Sequence, residues 1–281
     1  MDPAVARHMW MSTEPLHAVI YFAPEAKAAF DLAGMKGFWM GYFAGRAAPM
    51  GPVPPEVVTA TFFNFHPDMV RRAIPDAWAF ASPERVVEAR LEGAGAALER
   101  LTDGADLSAA VEPARRAAES VETVGRALAA ANASLPWPDG DVLELWHALT
   151  ILREHRGDGH VSALVSEGID GCEAHVLLSA SGAVPAERLR GARGWSEDDW
   201  AAATERLRAR GWVDGAGALT DAGRGVRDRV EARTDALAVA PWATLGEDGC
   251  DALVSALAPA LAALRANEAI PYPNPMGLPP A

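Results

Sequence analysis

Glutamine is missing from the chain, and Lys27 and Lys36 are the only lysines. Without Gln, no mechanism that needs a catalytic Gln applies. Cysteine is nearly absent too. Cys172 and Cys250 belong to no C-x-x-C pair, which excludes a disulfide framework or a Cys-rich zinc site and predicts buried structural thiols. No apolar run reads as a membrane span, and residues 1–20 lack the basic start and apolar core of a signal peptide. A reducing cytoplasm and no membrane partner are expected. No G-x-S-x-G elbow, Walker loop or H-E-x-x-H helix is present. Positive charge is scarce: 25 basic against 38 acidic residues give a net charge of −13. The overall field therefore opposes nucleic acid and anionic membranes.

Half of the 281 residues are hydrophobic, which allows a sizeable core and room for two ordinary domains. Alanine is abundant and β-branched runs are few, so the chain is expected to be mainly helical. Its 25 Gly and 21 Pro cluster between helical stretches as punctuation. Arginine in place of lysine, with abundant Ala and Gly, points to a GC-rich genome.

The chain repeats itself. Leu16-His17-Ala18-Val19 returns as Trp146-His147-Ala148-Leu149, 130 residues later. Gly34, Gly37, Arg72 and Trp78 return as Gly168, Gly171, Arg206 and Trp212, each 134 residues later. A duplicated chain can build within itself the two-fold that a homodimer builds from two chains, and the cleft between copies is where a site is expected.

Helices are predicted over 2–22, over 24–47 in two pieces divided near Gly34, and near 55–62 and 66–74. An irregular joint and a long helix to about 101 follow, then a helix over 107–133. A helix capped by Asp141 is read as ending near His155. Ser196, with Asp199 three positions on, caps a helix to Arg210, and Gly211 ends it. Two short strands, Trp212-Val213 and Ala218-Leu219, flank a wing. Thr220 caps a long Arg-rich helix, and a last helix spans about 247–267. The domain reading is 1–134, a linker at 135–143, a second copy at 144–268 and a Pro-rich, extended or disordered tail at 269–281.

The helix Ser196–Arg210 ending in RARGWVD, followed by LTDAGRGVRDRVEAR, resembles a winged helix-turn-helix of the MarR type. EPLHAVIYF, GFWMGYFAGRAAPMGP and LREHRGDGH resemble the actinobacterial SalK-like helix-turn-helix family. The resemblance implies two winged-helix-like copies, the first divergent, with minimal β in the wings and the long helices forming a shared pseudo-dimer core. It also implies a DNA-reading helix. The residues argue against that role. The helix starts Ser196-Glu197-Asp198-Asp199, three carboxylates where phosphates would lie, and the wing DGAGA has no basic residue.

Glu14/His17 and Glu144/His147 form the only E-x-x-H segments. Residues three apart share a helix face, so each pair could hold a divalent metal, the one candidate cofactor. The alternative is a helix-start Glu and a hydrogen-bonded core His. The cluster Arg153–His160 places His155, Asp158 and His160 as proton-transfer candidates and Arg156 as an anion contact. In GFWMGYFAGRAAPMG, glycines share one helical face. Phe38, Trp39 and Tyr42 are then free to wall a pocket with Arg46 at its mouth, beside Tyr21, His17 and His147. The expected function is small-molecule binding between the copies, with an enzymatic step open, in a monomer with an internal two-fold or a homodimer. The alternatives are a ligand-responsive MarR-type regulator and an acidic protein-interaction scaffold.

Overall fold

The computed structural model describes residues 1–278, and they are mainly helical. The first half forms α1 (Ala4–Phe22), α2 (Pro24–Leu32), α3 (Gly37–Ala47), α4 (Pro55–Phe62), α5 (Pro67–Arg71), α6 (Ala77–Phe80), α7 (Pro83–Leu101), α8 (Ser108–Glu119) and α9 (Ala127–Ala133). The second half forms α10 (Asp141–Ser166), α11 (Gly171–Ala180), α12 (Ala186–Arg193), α13 (Glu197–Ala209), α14 (Asp221–Ala238), α15 (Ala240–Ala243) and α16 (Gly246–Ala266). Proline opens α2, α4, α5 and α7, where its missing N–H costs nothing. Ser196 and Asp170 close capping boxes on α13 and α11, and Thr220 caps α14.

Helix boundaries fall at matching positions in the two halves. Leu32 ends α2 and Gly37 opens α3; Ser166 ends α10 and Gly171 opens α11. Each gap turns on a positive-φ glycine, Gly34 or Gly168. Packing between the halves is reciprocal. α1 lies on α16 and α10 lies on α8; α1 meets α14 and α10 meets α7; α1 crosses α10 and α8 crosses α16. The main apolar core runs from Ala6 to Leu264 and draws on both halves, with Trp146, Phe43, Met9 and Leu16 at its centre. A second core, Ala163 to Val230, belongs to the second half.

Several sequence expectations need correction. Residues 107–133 are two helices. Gly125 has φ 74°, and Arg126 turns across to donate to the His155 and Leu237 carbonyls. The helix expected to stop near His155 continues to Ser166. At Gly159 a neighbour fills the space: a side chain there would stand 2.8 Å from the Arg126 guanidinium. Gly140, rather than Asp141, occupies the N-cap of α10. Where two strands flanking a wing were expected there is one antiparallel bridge, Val213–Leu219. The tail is packed through residue 278: Ile270 and Leu278 are buried against Ala18, and the Asn274 Oδ1 accepts from the Met276 and Leu278 N–H groups. The rest of the tail, 279–281, lies outside the described residues. Finally, α16 is long and apolar enough to cross a membrane, with mean hydropathy 1.3 over its best window. Here it packs on α1 and α8 through Cys250, Leu253, Leu257, Ala260 and Leu264.

Candidate functional site

A cavity of about 680 Å³ lies between the halves, walled by α1, α3, α4, α10, α11 and α14. Pro275 and Met276 of the tail reach into its wall. A smaller cavity of about 180 Å³ adjoins it, sharing Tyr21, Phe22, Phe38, Tyr42, Arg46 and Glu154. The sequence of α3 explains its wall. Side chains at Gly41 and Gly45 would stand 3.0 and 2.5 Å from Phe30, so the glycine face lies on α2. That turns Phe38, Trp39, Tyr42 and Arg46 toward the cavity. Phe65 completes the aromatic wall, 5.4 Å from Tyr42 and 6.1 Å from Trp39 between ring centroids.

Buried charge is concentrated on α10. Glu154 is 2% exposed. It accepts from the Arg46 Nε and Nη2 at 3.1 and 2.9 Å and pairs with Arg153 at 2.9 Å. Burial alone would raise its pKa, but Arg153 and Arg46 outweigh burial and hold it at about 2. Arg153 also stands 3.6 Å from Glu14, whose second carboxyl oxygen has no partner. Burial raises the Glu14 pKa against the pull of Arg153.

His17 lies between the halves, stacked on Trp146 at 5.4 Å. Its Nδ1 is 3.1 Å from the Thr150 hydroxyl and its Nε2 is 3.1 Å from the Tyr21 hydroxyl. The Thr150 hydroxyl donates to the Trp146 carbonyl. His17 therefore donates from Nδ1, and its Nε2 accepts from Tyr21. Burial, with Arg153 next, pushes its pKa well down, so the ring is neutral. Both nitrogens are engaged, and no lone pair remains for a metal. Glu144 pairs with Arg115 at 3.0 Å, and His147 lies edge-on to Trp137 at 4.9 Å. The four metal candidates do not converge, and no group of three His, Cys, Asp or Glu among the described residues could hold an ion.

The remaining candidates separate by helix face. Arg156 and His160 line the large cavity, Arg156 paired with Asp235 at 2.9 Å and His160 2.9 Å from the Thr234 hydroxyl. His155 and Asp158 are buried on the other side of α10 toward α9, where Asp158 accepts the Ala129 N–H. The three proton-transfer candidates are thus not brought together. The sequence reading left Asn64, Glu154, His175 and Arg193 out of the site. For Glu154 the signal was there: carrying the helix through Gly157 puts Arg153, Glu154, Gly157 and His160 on neighbouring turns. Asn64, His175 and Arg193 carry no local signal.

Two interhelical turns, one from each half, meet. The chain between α12 and α13 holds Gly194, Trp195 and Ser196; that between α4 and α5 holds residues 63–66. The Trp195 Nε1 donates to the Asn64 carbonyl at 3.0 Å, and the His66 N–H donates to the Arg193 carbonyl at 2.9 Å. His66 packs edge-on to Trp195 at 5.0 Å, and Met69 presses on Gly194. The two turns thus close one end of the cavity.

Residues 6–271 match the model of a helix-turn-helix family, and the chain belongs to that family. No curated protein and no solved structure matches it.

Proposed function

We propose that this chain is a small-molecule-binding protein whose ligand occupies the cavity between two degenerate winged-helix copies. The observation that carries the reading is a cavity of about 680 Å³ with an aromatic wall from the first half and a mixed aliphatic and charged wall from the second. That volume falls within the usual range for small-molecule sites, about 300–1,000 Å³. The matched glycine turns and the reciprocal helix pairing support an internal duplication packed as a pseudo-dimer of MarR-like or SalK-like units. The fluorescent neutral probe N-phenylnaphthylamine tests the site. The full chain is expected to bind one equivalent with enhanced emission. Ala174→Trp, which fills the cavity from α11, is expected to abolish binding without lowering the thermal midpoint. Equal binding by the variant would remove this reading.

The family match favours a second reading, a ligand-responsive regulator that binds DNA. Three features weigh against it. Both helix-turn-helix turns are spent on each other. The exposed start of α13 carries Glu197 and Asp198. The wing tip, Asp214 to Gly217, has no basic residue. The protein is expected not to retard mixed-sequence duplexes at physiological salt. Nanomolar, sequence-specific binding upstream of its own gene would favour the regulator.

A further inference from the structure

Among the described residues, seven buried side-chain polar atoms have no hydrogen-bond partner. Four of them belong to residues lining the large cavity: Glu14, Asn64, His175 and Arg193. Glu14 lies beside the Arg153 cluster. The other three gather at the end closed by the two turns. Buried polar groups are ordinarily satisfied, so three together at a cavity wall mark a place where a partner is missing.

Arg193 is the least compensated of them. It is 9% exposed, and its Nε has no partner. The guanidinium donates only to backbone carbonyls, Ala192 at 3.2 Å and Pro275 of the tail at 3.1 Å, and lies 4.6 Å from the Phe65 ring centroid. Among the described residues it has no carboxylate partner: Glu154 is taken by Arg46 and Arg153, and Glu14 faces Arg153. The C-terminus of α12 supplies partial negative charge but leaves Nε unused. Burial lowers the Arg193 pKa, and Arg46 and Arg153 add to the lowering. His175 is also uncharged at neutral pH, burial pushing it down to about 3 with Arg193 contributing. An Asn amide can give or accept a bond as the partner requires, and the His175 Nε2 has no partner.

Resting on the cavity reading above, we propose that Arg193, flanked by His175 and Asn64, receives an oxyanion group of the ligand, whose aromatic body lies against Phe65, Tyr42 and Trp39. The ligand class is an aromatic acid. A planar guanidinium with a free Nε matches an oxyanion through charge-assisted hydrogen bonds, and the counter-charge relieves a buried, unpaired cation. The Pro275 carbonyl competes for the same guanidinium, so the tail is in direct contact with the anion-receiving end.

A matched pair of probes tests the assignment: anilinonaphthalene sulfonate and its neutral counterpart N-phenylnaphthylamine, titrated against the full chain by fluorescence. Arg193→Gln is expected to weaken the sulfonate by about tenfold or more, as the loss of a charge-assisted hydrogen bond implies. It is expected to leave the neutral probe's affinity unchanged, which also shows that the variant retains its cavity. If both probes bind and Arg193→Gln leaves the sulfonate's affinity intact, Arg193 is not the anion contact, while the cavity reading stands. If neither probe binds the wild-type chain, the cavity reading fails and the anion site with it.

Discussion

Glu154→Gln is expected to destabilise the fold by about 3–5 kcal/mol, the usual cost of stranding the partners of a buried ion pair. For a chain of this size that corresponds to a thermal midpoint lower by roughly 10 °C. Glu154 is the shared counter-ion of Arg46 and Arg153, both within 3 Å of its carboxylate oxygens. Neither arginine has another close carboxylate, since Arg153 reaches Glu14 only at 3.6 Å and Glu14 is pushed toward its neutral form. The neutral amide keeps the shape of the carboxylate and removes the charge, leaving two guanidiniums facing each other. The three-residue replacement Arg46→Met, Arg153→Met, Glu154→Leu is expected to recover much of the loss, because it removes the three charges together and leaves only Glu14, which burial already pushes toward its neutral form. Thermal unfolding of the wild-type chain and both variants checks this. A Glu154→Gln midpoint within about 2 °C of wild type would show that solvent or a rearranged partner already screens the arginines.

Acid is expected to destabilise the protein steeply between about pH 6.5 and pH 4, well above the range where its paired carboxylates titrate. Burial lowers the pKa of five histidines. His147 and His155 fall to about 4 and His175 to about 3; His17 falls well below its ordinary value and His160 is lowered. In the unfolded chain each returns to about 6.5. As the pH drops through that window the unfolded state takes up protons that the native state refuses, so stability rises with pH and is lost on acidification. At about pH 5 the penalty is roughly 2 kcal/mol for each of His147, His155 and His175.

Asp158 acts in the opposite sense. Burial raises its pKa to about 6, so its contribution is full below the unfolded value and is lost as pH rises through 6. It offsets about 1 kcal/mol of the histidine effect near pH 5. Glu154, at about 2, contributes above the ordinary carboxylate range and is lost only in strong acid. His147→Phe, which also removes an unpartnered buried nitrogen beside Trp137, is expected to flatten the pH dependence of the midpoint. A midpoint constant from about pH 6.5 to pH 4 in the wild type would mean that these imidazoles reach water in the native state.

How much of the site was legible depends on the range of the interaction. The division of α3 into a glycine face and an aromatic face was readable, because i, i+4 spacing assigns faces without knowing the neighbours. The metal reading did not survive, because the same spacing that puts Glu14 and His17 on one face says nothing of Thr150 and Tyr21, which occupy both His17 nitrogens. Ending the helix near His155, just before Gly157 and Gly159, follows from helix propensity. It was overruled because Arg126 packs in the space that Gly159 leaves open.

The sequence by itself determined the helical class, the Pro, Ser and Thr helix starts, and the glycine break near Gly34. These depend on backbone conformation and on neighbours a few residues away, which the local residues specify. Only the tertiary structure decided that Glu154 serves an arginine 108 positions away, that Arg193 meets a tail carbonyl, and that the α4–α5 and α12–α13 turns meet. The reason is physical. The state of a buried charge is set by the groups that the fold brings within about 4 Å and by the water it removes, and neither is written in the residues on either side of that charge.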